Sequence, residues 1–401
     1  MNILFVSPWY PDPLDNGAKL RIANLLSALC SRHRVTLIAA HDPAVTPPPI
    51  VRQPLSRCER VIPIPLERQP VLGPHRLLSY LWSRPEWVFP APSQDLRTAV
   101  EEQMQTHHYD LLVCFELGCT RYVPPETPVP LIVEDVELAG YLGSPETEGH
   151  LRRARRQVFA WKLRRASRSL LRRVSACTVP SAVECELLRR FVPRAPQVEI
   201  IPNCIDGGRY QGIKVDPQPQ TVIFTGGLTF QANRDALQFF LEQVYPLIKR
   251  RVPEVRFCIT GRHDGAPVPL VAHDRSVRLT GLVADVRPLI AESWLSIAPL
   301  LTGGGTRFKI LEAMALGTPV VSTSKGAEGL LAAPDEHLLV ADHPEDFAAA
   351  VVRLCYDRAL RNRLSEAGRD LVAEHYTWRS VAPRYLAWVE RIALEDVAQV
   401  D

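Results

Sequence analysis

The sequence predicts an α/β protein of two parallel-sheet domains, and three observations carry that prediction. Short apolar runs recur along all 401 residues, many without polar alternation, as strands buried on both faces require. Helical patterns lie between most of them, and strand alternating with helix argues for parallel sheets joined by right-handed crossovers. Midway, NCIDGGRYQGIKVDPQPQ (203–220) loses periodicity and is rich in Gly, Pro and Asp, as a linker should be.

Before that break the strand candidates are Ile3–Ser7, Val35–Ala39, Leu111–Phe115, Leu131–Val133, Ala176–Val179 and Val198–Ile201. After it come Val222–Thr225, Val255–Thr260, Val277–Thr280, Leu295–Ala298, Val320–Ser322 and Leu338–Val340. Ala18–Ser31, Asn233–Lys249 and Arg307–Leu316 show helical periodicity, and Trp378–Val400 is helical by pattern. The opening MNILFVSPWYP reads as a buried strand, not a signal peptide, because no basic leader precedes its apolar run. Many of the 36 prolines lie between Pro43 and Pro92, so that stretch is expected to be loop-rich. The domain expectation is therefore 1–205, a linker 206–220, 221–377, and a C-terminal helix 378–401 packing back on the first domain.

Composition narrows the function classes. At 46% hydrophobic and 23% charged the chain is an ordinary globular protein, and a net charge of +3 does not suggest nucleic acid. The nine cysteines are scattered with no C-x-x-C pair, as reduced cytoplasmic thiols would be. No run approaches the roughly 18–20 apolar residues that span a bilayer. Metal chemistry is not expected. There is no Asp-x-Asp after a strand, and His107-His108 lacks the i, i+4 spacing of a metal-binding helix. The first strand is followed by Ser7-Pro8-Trp9 and not G-x-G-x-x-G, which disfavours an oxidoreductase.

The most informative stretch is TGGGTRFKILEAMALGTPVVST, Thr302–Thr323. Three glycines open a helix, and a glycine-rich helix start presents unpaired backbone N–H groups to an anion. Gly305, Lys309, Glu312 and Leu316 fall on one helical face, with Phe308, Leu311 and Ala315 on the core face. A lysine and a carboxylate above such a turn can grip a phosphate and a sugar diol. The same pair would serve equally as a solvated ion pair on a surface helix. The upstream glycines and the strand immediately downstream favour the site.

These residues belong to a longer match. TGGLTFQANRDAL (Thr225–Leu237), ITGRHD (Ile259–Asp264), LTGLVADVRPLIAES (Leu279–Ser293) and SIAPLLTGGGTRFKILEAMALGTPVVSTSKGAEGL (Ser296–Leu330) together resemble the C-terminal domain of retaining glycosyltransferases of family 4. NILFVSPWYPDPLDNGAKLR is similar to the first strand and glycine-containing loop of that family. The resemblance implies the GT-B fold: two Rossmann-like domains facing a central cleft, acceptor side first and nucleotide-sugar side second. It places Glu312 on the ribose hydroxyls of the donor and Gly303, Gly304, Gly305 and Thr306 on its diphosphate, with Lys309 and Arg307 as the nearest cations. Gly17 matches the first-domain loop near the donor phosphates, Gly227 and Asn233 the first loop of the second domain, and Arg262 the cleft edge. No cofactor is implied beyond a nucleoside diphosphate sugar as substrate, and the chemistry is expected to be metal-independent. One departure stands out. The glutamate that usually contacts the donor sugar would fall at position 304, which is Gly304.

On the acceptor side, LIVEDVELAGYL places Glu134, Asp135 and Glu137 after a strand. Asp135 is the candidate polar group near a saccharide, lipid-linked or small-molecule acceptor, with Glu137 next; capping of the following helix reads equally well. Arg152–Arg173, RRARRQVFAWKLRRASRSLLRR, carries many Arg and Lys and no acid. Such a helix can lie on an anionic membrane surface, here the inner face, or simply solvate its arginines. The resemblance implies transfer of a sugar to an acceptor hydroxyl with retention. A binding-only homologue and a GT-B nucleotide-sugar epimerase are the alternatives.

Overall fold

The computed structural model describes residues 1–14, 16–41, 55–66, 93–142, 150–213, 215–263, 274–304 and 307–397. The chain divides into two units, Met1–Pro202 with the segment from Ala382 onward, and Asn203–Val381. Each holds one parallel sheet.

In the first unit the strands are β1 (Asn2–Ser7), β2 (Arg34–His41), β3 (Arg60–Pro65), β4 (Leu111–Phe115), β5 (Leu131–Glu134), β6 (Ala176–Val179) and β7 (Gln197–Ile200). They pair in the order β3-β2-β1-β4-β5-β6-β7. Ile3 sits beside Val35 on one side and Leu111 on the other. Ile3, Leu4, Phe5 and Val6 are fully buried, which is why this strand reads as an unbroken apolar run.

β3 was not expected, because it lies inside the proline-rich stretch. It is an edge strand, and Pro63 and Pro65 alternate along it. An edge strand tolerates missing N–H groups that face no partner. The remainder of that stretch, 42–54 and 67–92, lies outside the described residues.

The second unit holds β8 (Gln218–Thr225), β9 (Arg256–Thr260), β10 (Val277–Gly281), β11 (Ser293–Ala298), β12 (Val320–Ser322) and β13 (Leu339–Val340). Their order is β10-β9-β8-β11-β12-β13. Side chains alternate between two cores. Val222, Phe224, Phe257, Ile259, Leu295 and Ile297 face one, and Ile223, Cys258 and Ala298 face the other. Both faces are covered, as a doubly wound sheet requires.

The expected helix Asn233–Lys249 is interrupted. It runs as Gln231–Phe239, a π segment Phe240–Val244, and Tyr245–Arg251. Pro246 follows the π segment and has no N–H to continue an α ladder.

The stretch read as a linker, 206–220, belongs to the second unit. Gly207–Tyr210 is a 3-10 turn, and β8 begins at Gln218. The last helix, Trp378–Val397, buries Tyr385, Trp388, Val389 and Ile392, and residues from Ala382 cluster with the first unit. There Arg384 donates to the Ile200 carbonyl at 2.7 Å. Among the described residues no helix is long and apolar enough to cross a membrane.

Candidate functional site

In the second sheet the chain leaves β8 toward β9 and leaves β11 toward β12, in opposite directions across the sheet. β8 and β11 are neighbours, so their carboxyl ends flank a topological switch point. The helix Gln231–Phe239 contributes Ala236, Leu237 and Phe239 to one core. The helix Phe308–Leu316 contributes Ile310, Leu311, Ala313 and Met314 to the other. Two helix starts therefore diverge from adjacent strand ends, the arrangement that opens a ligand crevice in open α/β sheets.

Lys309 and Asn233 meet across that point. The Lys309 ammonium donates to Asn233 Oδ1 at 2.9 Å and lies 4.2 Å from the centroid of the Phe224 ring. Asn233 Nδ2 in turn donates to the Gly227 carbonyl at 2.9 Å. Burial pushes the Lys309 pKa down to about 7, helped by repulsion from Arg307 and opposed by Glu312.

Two glycines overlooked in the sequence make the room. Gly226 has φ of 151°, and a Cβ there would stand 2.9 Å from both Lys309 Nζ and Asn233 Nδ2. Gly261 has φ of 141°, and a Cβ would collide with the Gly226 carbonyl. The TGG and TGR triplets, each at a strand end, were the available signal.

Glu312 lies one helical turn beyond Lys309 on the Phe308–Leu316 helix and is half-buried. Burial raises its pKa, while the hydrogen bond from Tyr210 and the charges of Arg209, Lys309 and Arg287 pull it down. The Tyr210 hydroxyl donates to Glu312 Oε1 at 2.7 Å. Tyr210 was missed because it sits in an aperiodic stretch, where spacing carries no message.

Arg307 engages the glycine loop itself. Its guanidinium folds back on the glycine loop, donating to the Gly304 carbonyl at 2.8 Å and the Gly303 carbonyl at 2.9 Å. Gly303 takes φ of 101°, which suits glycine. Gly305 and Thr306 lie outside the described residues. Arg234 also braces a loop, donating to the Leu228 carbonyl at 2.6 Å and the Thr229 carbonyl at 2.8 Å. Arg262 has an exposed side chain, and its carbonyl accepts from Leu228 N at 2.7 Å.

In the first unit, Gly17 opens the helix Gly17–Leu29, and the Asn16 side chain caps it by accepting from Lys19 N at 3.0 Å. Trp9, after β1, donates through Nε1 to Glu116 Oε1 at 2.8 Å, after β4. Asp135 follows β5 with φ of 62° and lies 3.3 Å from Arg21 Nε. Arg21 and Glu134 are essentially inaccessible, at 1% and 0% exposure. Thr178 Oγ1 donates to Glu134 Oε2 at 2.5 Å, and Arg21 Nη1 donates to the Ile201 carbonyl at 2.9 Å. Burial raises the pKa of Glu134 and of Asp135. Glu137 is raised well above its ordinary value by burial and by the nearby Asp135 and Glu184 charges.

The basic helix, His150–Leu170, is less uniformly solvent-facing than its sequence suggests. Lys162 is buried, Arg168 donates to the Phe191 carbonyl at 2.7 Å, and Arg164 stacks 4.9 Å over the Phe191 ring. Arg173, just beyond it, donates to the Thr120 carbonyl. Val158 and Trp161 remain exposed, at 49% and 56%.

Residues 219–357 match the model of the glycosyl transferases group 1 family. A phosphatidyl-myo-inositol mannosyltransferase of Mycobacterium leprae is 29% identical over 183 residues, 43% of this chain and 47% of that protein. The chain spans about half the length of the first curated relatives it matches. Among solved structures, a sucrose-phosphate synthase from Thermosynechococcus elongatus superposes with a TM-score of 0.72 at 17% identity, covering 98% of this chain and 99% of its own. Anabaena HepE in complex with UDP gives 0.65 at 17% identity, covering 98% and 100%. The two parallel-sheet units thus have the GT-B glycosyltransferase fold, and the glycosyl transferases group 1 match falls on the unit that gathers Lys309, Asn233 and Glu312.

Proposed function

We propose that this chain is a metal-independent retaining glycosyltransferase of family 4 type. It moves a sugar from a nucleoside diphosphate sugar to an acceptor hydroxyl, in the synthesis of a cell-surface polysaccharide or glycolipid. The observation that carries this reading is the Lys309–Asn233 bond across the switch point, beside glycines at the strand ends that leave room for both side chains, and one helical turn from Glu312. The bond between the anomeric carbon and the phosphate oxygen breaks, and negative charge develops on that oxygen. The Lys309 ammonium and the glycine-rich helix start meet that charge, and Glu312 accepts from the ribose hydroxyls. Arg307 shapes the loop from behind. Asp135 serves the acceptor side.

The similarity to a mannosyltransferase named for a phosphatidylinositol acceptor supports a lipid-linked acceptor. Val158, Trp161 and Arg165 fall at i, i+3 and i+7 of one helix, and all three are exposed. We assign this face to peripheral contact with anionic lipid at the inner membrane face. Co-sedimentation with phosphatidylglycerol vesicles should be lost in Trp161→Ala; sedimentation undiminished in that variant would overturn the contact.

The activity test is turnover of a panel of UDP, GDP, ADP and TDP sugars, followed by NMR. One donor should be transferred or slowly hydrolysed, with EDTA making no difference. Tight nucleotide binding without turnover would support the binding-only reading, to which Gly304 in place of a glutamate points. Manganese-restored activity after chelation would overturn metal independence.

A further inference from the structure

We infer that Tyr210 is the positioning residue of Glu312, and so of ribose recognition, at the end of a relay Asp285–Arg287–Arg209–Tyr210 drawn from two separate loops. The inference rests on the proposed donor site.

Tyr210 ends the turn Gly207–Tyr210, and that turn is pinned at its entry and along its length. Upstream, Ile205 N donates to the Tyr376 carbonyl at 2.9 Å, and the Ile205 carbonyl accepts from Trp378 N at 3.2 Å. Gly207 lies so close to Thr377 that a Cβ would stand 3.1 Å from its methyl. Asp206 Oδ1 accepts from Gly208 N at 3.1 Å. Within the turn, the Arg209 carbonyl accepts from Arg287 Nη1. Arg287 is itself clamped by Asp285, through Nε to Oδ1 and Nη2 to Oδ2, each at 2.8 Å, and through its backbone N–H to Oδ1 at 3.0 Å. A phenol on a turn held this way has a fixed direction, and it meets Glu312 Oε1 at 2.7 Å.

A carboxylate turns easily about its last bond and offers about four lone-pair sites. One donated hydrogen bond fixes its plane and leaves Oε2 to receive a sugar hydroxyl. It also favours the ionised acceptor form of a carboxyl that burial pushes toward neutrality. Fixing the acceptor before the ligand arrives lowers the ordering cost of binding. Tyr210 therefore sharpens discrimination for the ribose hydroxyls without contacting the nucleotide.

The test is calorimetry of the full chain with UDP and GDP and with their 2′-deoxy forms. Wild type should prefer the ribonucleotide, and Glu312→Gln should abolish the preference. Tyr210→Phe should reduce it by about 3- to 10-fold, the size of one hydrogen bond. Its thermal midpoint should stay near that of wild type. Asp285→Asn, which loosens the far end of the relay, should reduce it less. Tyr210→Phe binding the ribonucleotide more tightly would show the phenol to be a placeholder that the ribose displaces, and would overturn the inference. An unchanged preference in Tyr210→Phe would overturn it too. A preference that survives Glu312→Gln, or failure to bind either nucleotide, would instead sink the ribose assignment, and the inference with it.

Discussion

The two units treat buried charge differently. In the first, Arg21, Glu134 and Thr178 are closed on one another, with Arg21 and Glu134 at 1% and 0% exposure. In the second, Lys309 and Glu312 are half-buried, and each meets a neutral hydrogen-bond partner, Asn233 and Tyr210. A sealed ion cluster compensates itself and offers a ligand nothing. A half-open lysine with a depressed pKa is an unmet demand for an anion. Asp135 stands between the two cases, paired with Arg21 yet 12% exposed.

Removing Arg21 should give the largest effect, and on stability. Arg21→Met leaves buried carboxyls without their cation, and breaking a buried pair from one side costs about 3–5 kcal/mol. Urea unfolding should show that loss, while nucleotide affinity of the folded protein stays as it was. A loss below about 1 kcal/mol would mean that the cluster is hydrated, and the contrast with the second unit would collapse.

How far the sequence shows this contrast can be judged from particular residues. Strands buried on both faces are legible because apolar runs have no other use at that length. β3 was hidden because Pro63 and Pro65 are strand breakers everywhere except at an edge, and edge position is a property of the whole sheet. Lys309 and Glu312 were legible from glycines and helical spacing. The partners that tune them, Tyr210 and Phe224, come from elsewhere in the chain and leave no local mark. Arg307 shows a related limit. Spacing places its Cα beside the loop but does not give the direction of its guanidinium, which folds inward.

The next effect tests the half-open side. At pH 6 Lys309 is protonated, and Lys309→Ala should weaken binding of a nucleoside diphosphate by about 1.5–3 kcal/mol, the range for hydrogen bonds to charged groups. The pH sign follows from the depressed value of about 7. Above it the free protein carries a neutral lysine, and the diphosphate must recruit a proton to bind. Wild-type affinity should then fall with rising pH, by up to about tenfold per unit, and the deficit of Lys309→Ala should shrink. Calorimetry in buffers of different ionisation enthalpy measures the proton uptake directly. A pH-independent deficit would show that Lys309 stays charged throughout.

The smallest effect decides the role of Arg307. If it braces the loop through the Gly303 and Gly304 carbonyls, Arg307→Ala loses two hydrogen bonds at a half-buried site, and donor affinity should drop by about 1 kcal/mol. The same change removes one of the two influences that hold the Lys309 pKa down. The pH at which affinity begins to fall should therefore move upward, toward the ordinary lysine range. An arginine that gripped the phosphates directly would behave otherwise. Its loss would cost as much as that of Lys309, at every pH, and the descent would keep its wild-type slope. The two roles thus separate on the size of the loss. A loss as large as that of Lys309→Ala would return Arg307 to the phosphate, and an unmoved midpoint would leave Lys309 depressed by burial alone.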